Sequence, residues 1–143
     1  MKLENVQQYV ADRIMAVPAL AAFGAPIQYT PFLDDDALKT AIGDQLRVKG
    51  VCIEIGQEEA DRVDDPMIRG VAADASFDVF VSEAIKTAHA PSDKMLRKAV
   101  IDAVTVRLDA RETPAKFLRS DTAKAEQGYV LHILSFTIRV TIP

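Results

Sequence analysis

Two histidines, one cysteine and two runs of acids are the residues in this sequence best suited to chemistry. His89 and His132 lie in different segments, so they do not form the closely spaced pair that grips zinc from one helix. His132 falls on the more apolar side of a β-like run. That is the usual setting of a hydrogen-bonded structural histidine rather than of a base or ligand. His89 falls in the linker 84–91 and is expected in solvent. Cys52 stands between Val51 and Ile53, where a thiol is buried and inert unless a base or a cation activates it. Asp34, Asp35 and Asp36 are consecutive, whereas calcium loops place oxygen ligands at alternate positions with a turn glycine. The acids Glu58, Glu59, Asp61, Asp64 and Asp65 also miss that pattern. The first run reads as a helix start and the second as an acidic, solvated turn. Gly43, Gly50, Gly56 and Gly70 are scattered and form no phosphate cradle. There is no serine nucleophile elbow. The expectation is a protein that is not an enzyme, with no catalytic residue, no metal and no cofactor.

Composition points the same way. With 143 residues, the chain is expected to form one domain over 1–143. Hydrophobic residues make up 49% and charged residues 27%, enough apolar surface to build a core. Seventeen Lys and Arg against twenty-one Asp and Glu give a net charge of −4, which argues against a general nucleic-acid binder. Aromatics are 6% and Trp is absent, thin for a base-stacking platform. No apolar run approaches the roughly 18 residues that span a bilayer. The start, MKLENVQQYVADRI, is too charged for a secretory signal, so no membrane association is expected. A lone Cys52 leaves no internal disulfide to form. The small net charge conceals an asymmetry. Residues 1–85 carry seven bases and fifteen acids, and residues 86–143 carry ten bases and six acids. Residues 54–65 alone hold six acids and one Arg.

The elements that must position these residues follow from periodicity. Leu3, Val6, Val10, Ile14 and Val17 step by three and four, which predicts a helix over 3–17. Pro18 ends it, and residues 19–26 are a small-residue linker. Ile27 to Phe32 reads as a short edge strand. The three acids at 34–36 open a second helix whose apolar positions are Leu38, Ala41, Ile42 and Leu46, and Gly50 closes it. Val51 to Ile55 alternates as a strand. After the polar turn 56–66, strand character returns at 68–73 and 77–81, continuous or broken near Asp74. Ser92 or Asp93 caps a helix presenting Leu96, Val100, Ala103, Val104 and Leu108. Residues 110–127 form a long connection, with 115–118 a candidate short strand. Tyr129 to Ile142 is a final strand too long for the core alone, which predicts a bulge or an overhang. The order α-β-α-β-β-α-β predicts an α+β fold, a mainly antiparallel mixed sheet with two or three helices packed on it.

Three stretches carry a resemblance. They are the opening helix LENVQQYVADRIMAV with its linker, the strands VCIEIG and FDVFV around a polar excursion, and the helix DKMLRKAVIDAVTVRL with a long connection and the strand YVLHILSFTIRVTIP. Their order and lengths resemble the tail terminator and tail-completion (minor tail) proteins of long-tailed bacteriophages, prophage copies included. The resemblance covers most of the chain and rests on patterning, because the family has no invariant chemical motif. It implies a virion structural protein that forms a homo-oligomeric ring, commonly a hexamer. Such a ring caps the tail tube, stops its polymerisation and offers a surface to the head connector. The implied partners are further copies of the chain, the tail-tube protein and head–tail connector proteins. The implied location is the virion tail or neck, and the host cytoplasm during assembly. No sequence-specific nucleic-acid contact is implied. On this reading the interface candidates are the acidic turn (Glu58, Glu59, Asp61, Asp64, Asp65) and the basic connection (Arg111, Lys116, Arg119, Lys124). A head-closure or head–tail joining protein is the nearest competing role. A small-molecule-binding domain or compact enzyme is the competing class, and it would have to gather Cys52, Glu54, Tyr129 and His132 in one pocket.

Overall fold

The computed structural model describes residues 1–30, 33–60, 71–91, 93–110, 112–124 and 128–142. A 3-10 turn over Leu3–Asn5 leads into α1 (Val6–Met15), whose buried residues are Val6, Val10, Ala11 and Ile14. The predicted stop at Pro18 is also a start. Its ring fixes φ and needs no N–H partner, so it opens the short α2 (Pro18–Ala21) within the expected linker. β1 (Ile27–Gln28) is shorter than expected, and positions 31 and 32 of that predicted strand lie outside the described residues. α3 (Asp35–Lys49) begins and ends as the sequence requires. The Asp34 carboxylate accepts from the Asp36 N–H at 3.1 Å, and Gly50 adopts φ +81° while donating to the Leu46 carbonyl.

β2 (Val51–Ile55), β3 (Glu59–Ala60), β4 (Val71–Ala84), α4 (Asp93–Thr105), β5 (Lys116–Lys124) and β6 (Tyr129–Ile142) complete the chain. The fold is α+β; the described residues form a mixed, mostly antiparallel sheet of six strands with four helices. The strand order is β1-β2-β4-β6-β5, with β3 also on β4. Among the described strands, only β1 pairs parallel, with β2. β4 is one continuous fourteen-residue strand, unbroken at Asp74, and pairs with β6 along its whole length. The expected overhang of β6 beyond the core does not form, because β6 pairs with β4 over its whole length and keeps Ile138 and Val140 buried; β5 covers it only from Thr137 back to Val130. Two further expectations change. The connection 110–127 is largely β5, a full strand with an irregularity between Phe117 and Arg119. The observed order therefore gains α2, β3 and β5 over α-β-α-β-β-α-β. α4 ends at Thr105, so Leu108 is exposed rather than on the helix face. Ser92, one of its two expected caps, lies outside the described residues.

Register divides the sheet into two faces. Val51, Ile53 and Ile55 stand beside Glu83, Val81 and Val79, and these beside Val130, His132 and Leu134. α1 and α4 cover that face and form the core with Leu96, Val100, Val104, Ile14, Phe77 and Phe136. Phe77 and Phe136 stack at 5.4 Å between ring centroids. Cys52 and Glu54 point to the other face. Both are buried, Cys52 as its neighbours predict, and Glu54 as a buried acid. Gln45 of α3 approaches the Cys52 sulfur at 3.8 Å, and Tyr29 reaches Glu54.

Candidate assembly surfaces and buried polar clusters

The described members of the two charged surfaces expected from sequence, Glu58 and Glu59 on one side and Lys116, Arg119 and Lys124 on the other, lie at opposite margins of the sheet. On the β5 edge, Lys116 and Arg119 are exposed, and Arg119 makes a loose ion pair with Asp121 at 3.5 Å. Such a solvated pair contributes little to stability. Phe117 is partly covered, edge-on to Phe136 at 5.7 Å, whereas Leu118 is 57% exposed. An edge strand with bases and a local irregularity is protected against indiscriminate pairing but keeps a row of free backbone groups. Lys124 closes this strand, and Arg111 lies outside the described residues.

The acidic margin is on the β2 side. Glu59 pairs with Ser76 at the start of the turn, and the Glu58 carboxylate accepts from the Gln7 side-chain amide at 3.1 Å. Gln7 also donates to the Tyr29 carbonyl at 2.7 Å, so α1 fixes where the excursion leaves the sheet. Asp61, Asp64 and Asp65 lie outside the described residues. Asp34, Asp35 and Asp36, read from sequence only as a helix start, are all exposed at the same margin. The structure therefore keeps the described acidic and basic candidates apart within one chain.

Three polar clusters hold the frame. In the first, Glu83 bridges both histidines. His89 Nε2 lies 2.8 Å from one carboxylate oxygen and His132 Nε2 lies 2.7 Å from the other. His89 Nδ1 faces the Thr87 carbonyl at 2.9 Å, and His132 Nδ1 faces the Thr122 hydroxyl at 3.1 Å. His132 is the buried, satisfied histidine that its strand position suggested. His89 is not solvated as expected, because the linker folds back and leaves its side chain 7% exposed. Gly50 permits this fold, since a Cβ there would stand 3.0 Å from His89 Nδ1. In the second cluster, the Tyr29 phenol donates to Glu54 at 2.6 Å. Burial raises the Glu54 carboxyl above its ordinary range, and the phenol's hydrogen bond works against that rise. Burial, and then Glu54, raise the Tyr29 phenol. Burial also pushes the Cys52 thiol up to about 12, with Glu54 adding to it, so the thiolate that chemistry would need is suppressed. In the third, Glu112 accepts from the Tyr9 phenol and from Arg13 at 3.1 Å, tying the segment before β5 to α1. The Tyr9 hydrogen bond is the largest cause holding the Glu112 carboxyl below its ordinary range.

Sequence reasoning missed Glu83 and Glu112. Each is a single acid with a partner tens of residues away, His132 for Glu83 and Tyr9 and Arg13 for Glu112, and no local spacing signals that. The four residues of the competing pocket are not gathered, because Cys52 and Glu54 face away from His132 across the sheet. A groove of about 240 Å³ opens between Tyr29, Glu59, Asp78 and Phe80. Asp78 there already accepts from Ser135 at 2.7 Å. Among the described residues, no group of three His, Cys, Asp or Glu side chains is arranged to hold a metal ion.

No protein-family model matches the chain. No curated protein matches it either. Among solved structures, the chain is similar to one chain of a structure described as the virion of a native gene transfer agent (GTA) particle. The TM-score is 0.61 at 22% identity, over 95% of this chain and 94% of that one. The two share a fold across nearly their whole lengths.

Proposed function

We propose that this protein is a structural component of a phage-like particle, without catalytic activity, that assembles head to tail into a ring at the end of a tail tube. The ring ends tube polymerisation and offers its other side to the head connector. Support comes first from the placement of opposite charge at opposite margins of one sheet. An acidic margin and a basic margin that cannot meet within a chain are complementary between neighbours. Such a heterologous contact closes into a ring when its rotation divides a full turn. Complementary rims steer the encounter and disfavour wrong registers. The whole-chain fold likeness to a chain of a GTA virion supports the particle context. The polar clusters support it differently, because their groups are consumed in hydrogen bonds that fix the frame.

Light scattering over a range of protein concentration, at low and high salt, tests the assembly. The expected result is a discrete oligomer that weakens as salt screens the rims. A strict monomer at every concentration and salt would overturn the reading. Adding the oligomer to tail tubes and, separately, to filled heads tests the position. Capping of tubes supports the tail role, and completion of heads alone transfers the protein to the neck.

A further inference from the structure

We propose that the repeating contact seats α3 of one copy against the β5 edge of the next. The inference rests on the head-to-tail assembly above and assigns the residues that make it. α3 has fifteen residues, and Leu46 alone among them is buried. Three of its other apolar residues, Leu38, Ala41 and Ile42, continue the Leu46 stripe toward the N-terminus at helical spacing. Ala41 is exposed, and Leu38 and Ile42 are only half-buried. A helix whose work ended within its own chain would turn such a stripe to the core. Here the C-terminal end is anchored, through Leu46, Gln45 on the Phe23 carbonyl, and Gly50, and the N-terminal half presents its stripe outward.

β5 has the complementary surface. Phe117 and Leu118 are its exposed large apolar residues, flanked by Lys116 and Arg119. Residues 34–44 hold four Asp and one Lys, a net of −3, and residues 116–124 hold three bases and one acid, a net of +2. α3 packs on β2 and β4 at one margin, and β5 is the last strand at the other. Each copy therefore offers both halves of the contact and cannot satisfy them itself. Leu38 and Ile42 against Phe117 and Leu118 would form the dry centre, with Asp35 and Asp36 facing Lys116 and Arg119 at the rim.

A charge exchange tests this. One variant carries Asp35→Lys and Asp36→Lys, and a second carries Lys116→Glu and Arg119→Glu. Asp34 is left in place to cap the helix. Each variant alone is expected to lose the oligomer, because like charges then face each other. An equimolar mixture is expected to regain it, because alternating copies restore every contact. Unchanged association of either variant, or a mixture that stays dissociated, would overturn the proposal. Leu118→Ser, at a position exposed in the free chain, guards against lost helix in the first variant. It is expected to weaken association about tenfold or more while leaving circular dichroism unchanged. Association kept in Leu118→Ser would overturn the proposal. An oligomer that survives the α3 variant but is lost in Glu58→Lys/Glu59→Lys overturns this contact and leaves the ring standing. A wild-type protein that never associates overturns both.

Discussion

Replacing Glu83 by Ala removes one carboxylate from between two buried imidazoles. The His89 and His132 side chains are 7% and 3% exposed, and each points Nε2 at Glu83 from under 3 Å, at 2.8 and 2.7 Å. Neither can turn to water without leaving its second partner, Thr87 or Thr122. An unmet buried polar group costs about 1–3 kcal/mol, so two such groups cost about 2–6 kcal/mol. Breaking a buried charged pair by truncating one partner costs about 3–5 kcal/mol, in the same range. Against a total stability of about 5–15 kcal/mol for a domain, this runs from about a seventh of the whole upward. Urea unfolding followed by circular dichroism reads the loss as a lower midpoint at constant slope. The double variant Glu83→Ala/His132→Ala is expected to cost less than the two single losses added, because the stranded imidazole goes with its acceptor. A loss below about 1 kcal/mol for Glu83→Ala, or strict additivity in the double variant, would refute the account of the cluster.

Glu54→Gln should stabilise the protein at neutral pH. The folded carboxyl sits above its ordinary value because burial penalises its charge. Stability from this site is therefore greatest where both states are protonated, below about pH 4.3, and falls as pH rises above that value. The Gln variant should match wild type at low pH and exceed it at pH 7, and a difference independent of pH would contradict this. Cys52 should resist a disulfide reagent at pH 8 until the chain unfolds, since its thiol is buried and pushed up to about 12. Rapid stoichiometric labelling of the native protein would refute it. Gly50→Ala should cost about 1–2 kcal/mol in urea unfolding from its left-handed backbone alone. The approach of the new Cβ to His89 adds to that, so a cost below about 0.5 kcal/mol would contradict the geometry.

Much of the fold was legible because its signals are local. The capped limits of α3, the strand at 51–55 and the extent of β6 follow from an N-cap acid, a left-handed glycine and apolar runs. β5 was not legible. KFLRSDTAK has little alternation and few β-branched residues, and it becomes a strand because β6 offers it an edge. The histidines divide in the same way. The position of His132 on a strand face announced its burial. The fate of His89 depends on Glu83 and on the room left by Gly50, neither of which its own neighbours reveal. For the candidate surfaces, sequence located the charges but not their arrangement. That they occupy opposite margins is a property of the strand order, and the presentation of α3 depends on how far its stripe runs past Leu46.

The long β4–β6 ladder also imposes an order in time. β6 is the last strand, yet it lies inside the sheet, between β4 and β5. A chain emerging during synthesis would carry β4 with one whole side unpaired, and β5 with no partner, until residues 129–142 arrived. Pairings across so many residues form slowly, and an open fourteen-residue edge is a template for association between unfinished chains. The charges along it, Asp74 and Asp78 on β4 and Lys116, Arg119 and Asp121 on β5, would then also protect the nascent chain. They keep each waiting strand soluble until β6 arrives to separate them and make the sheet one body.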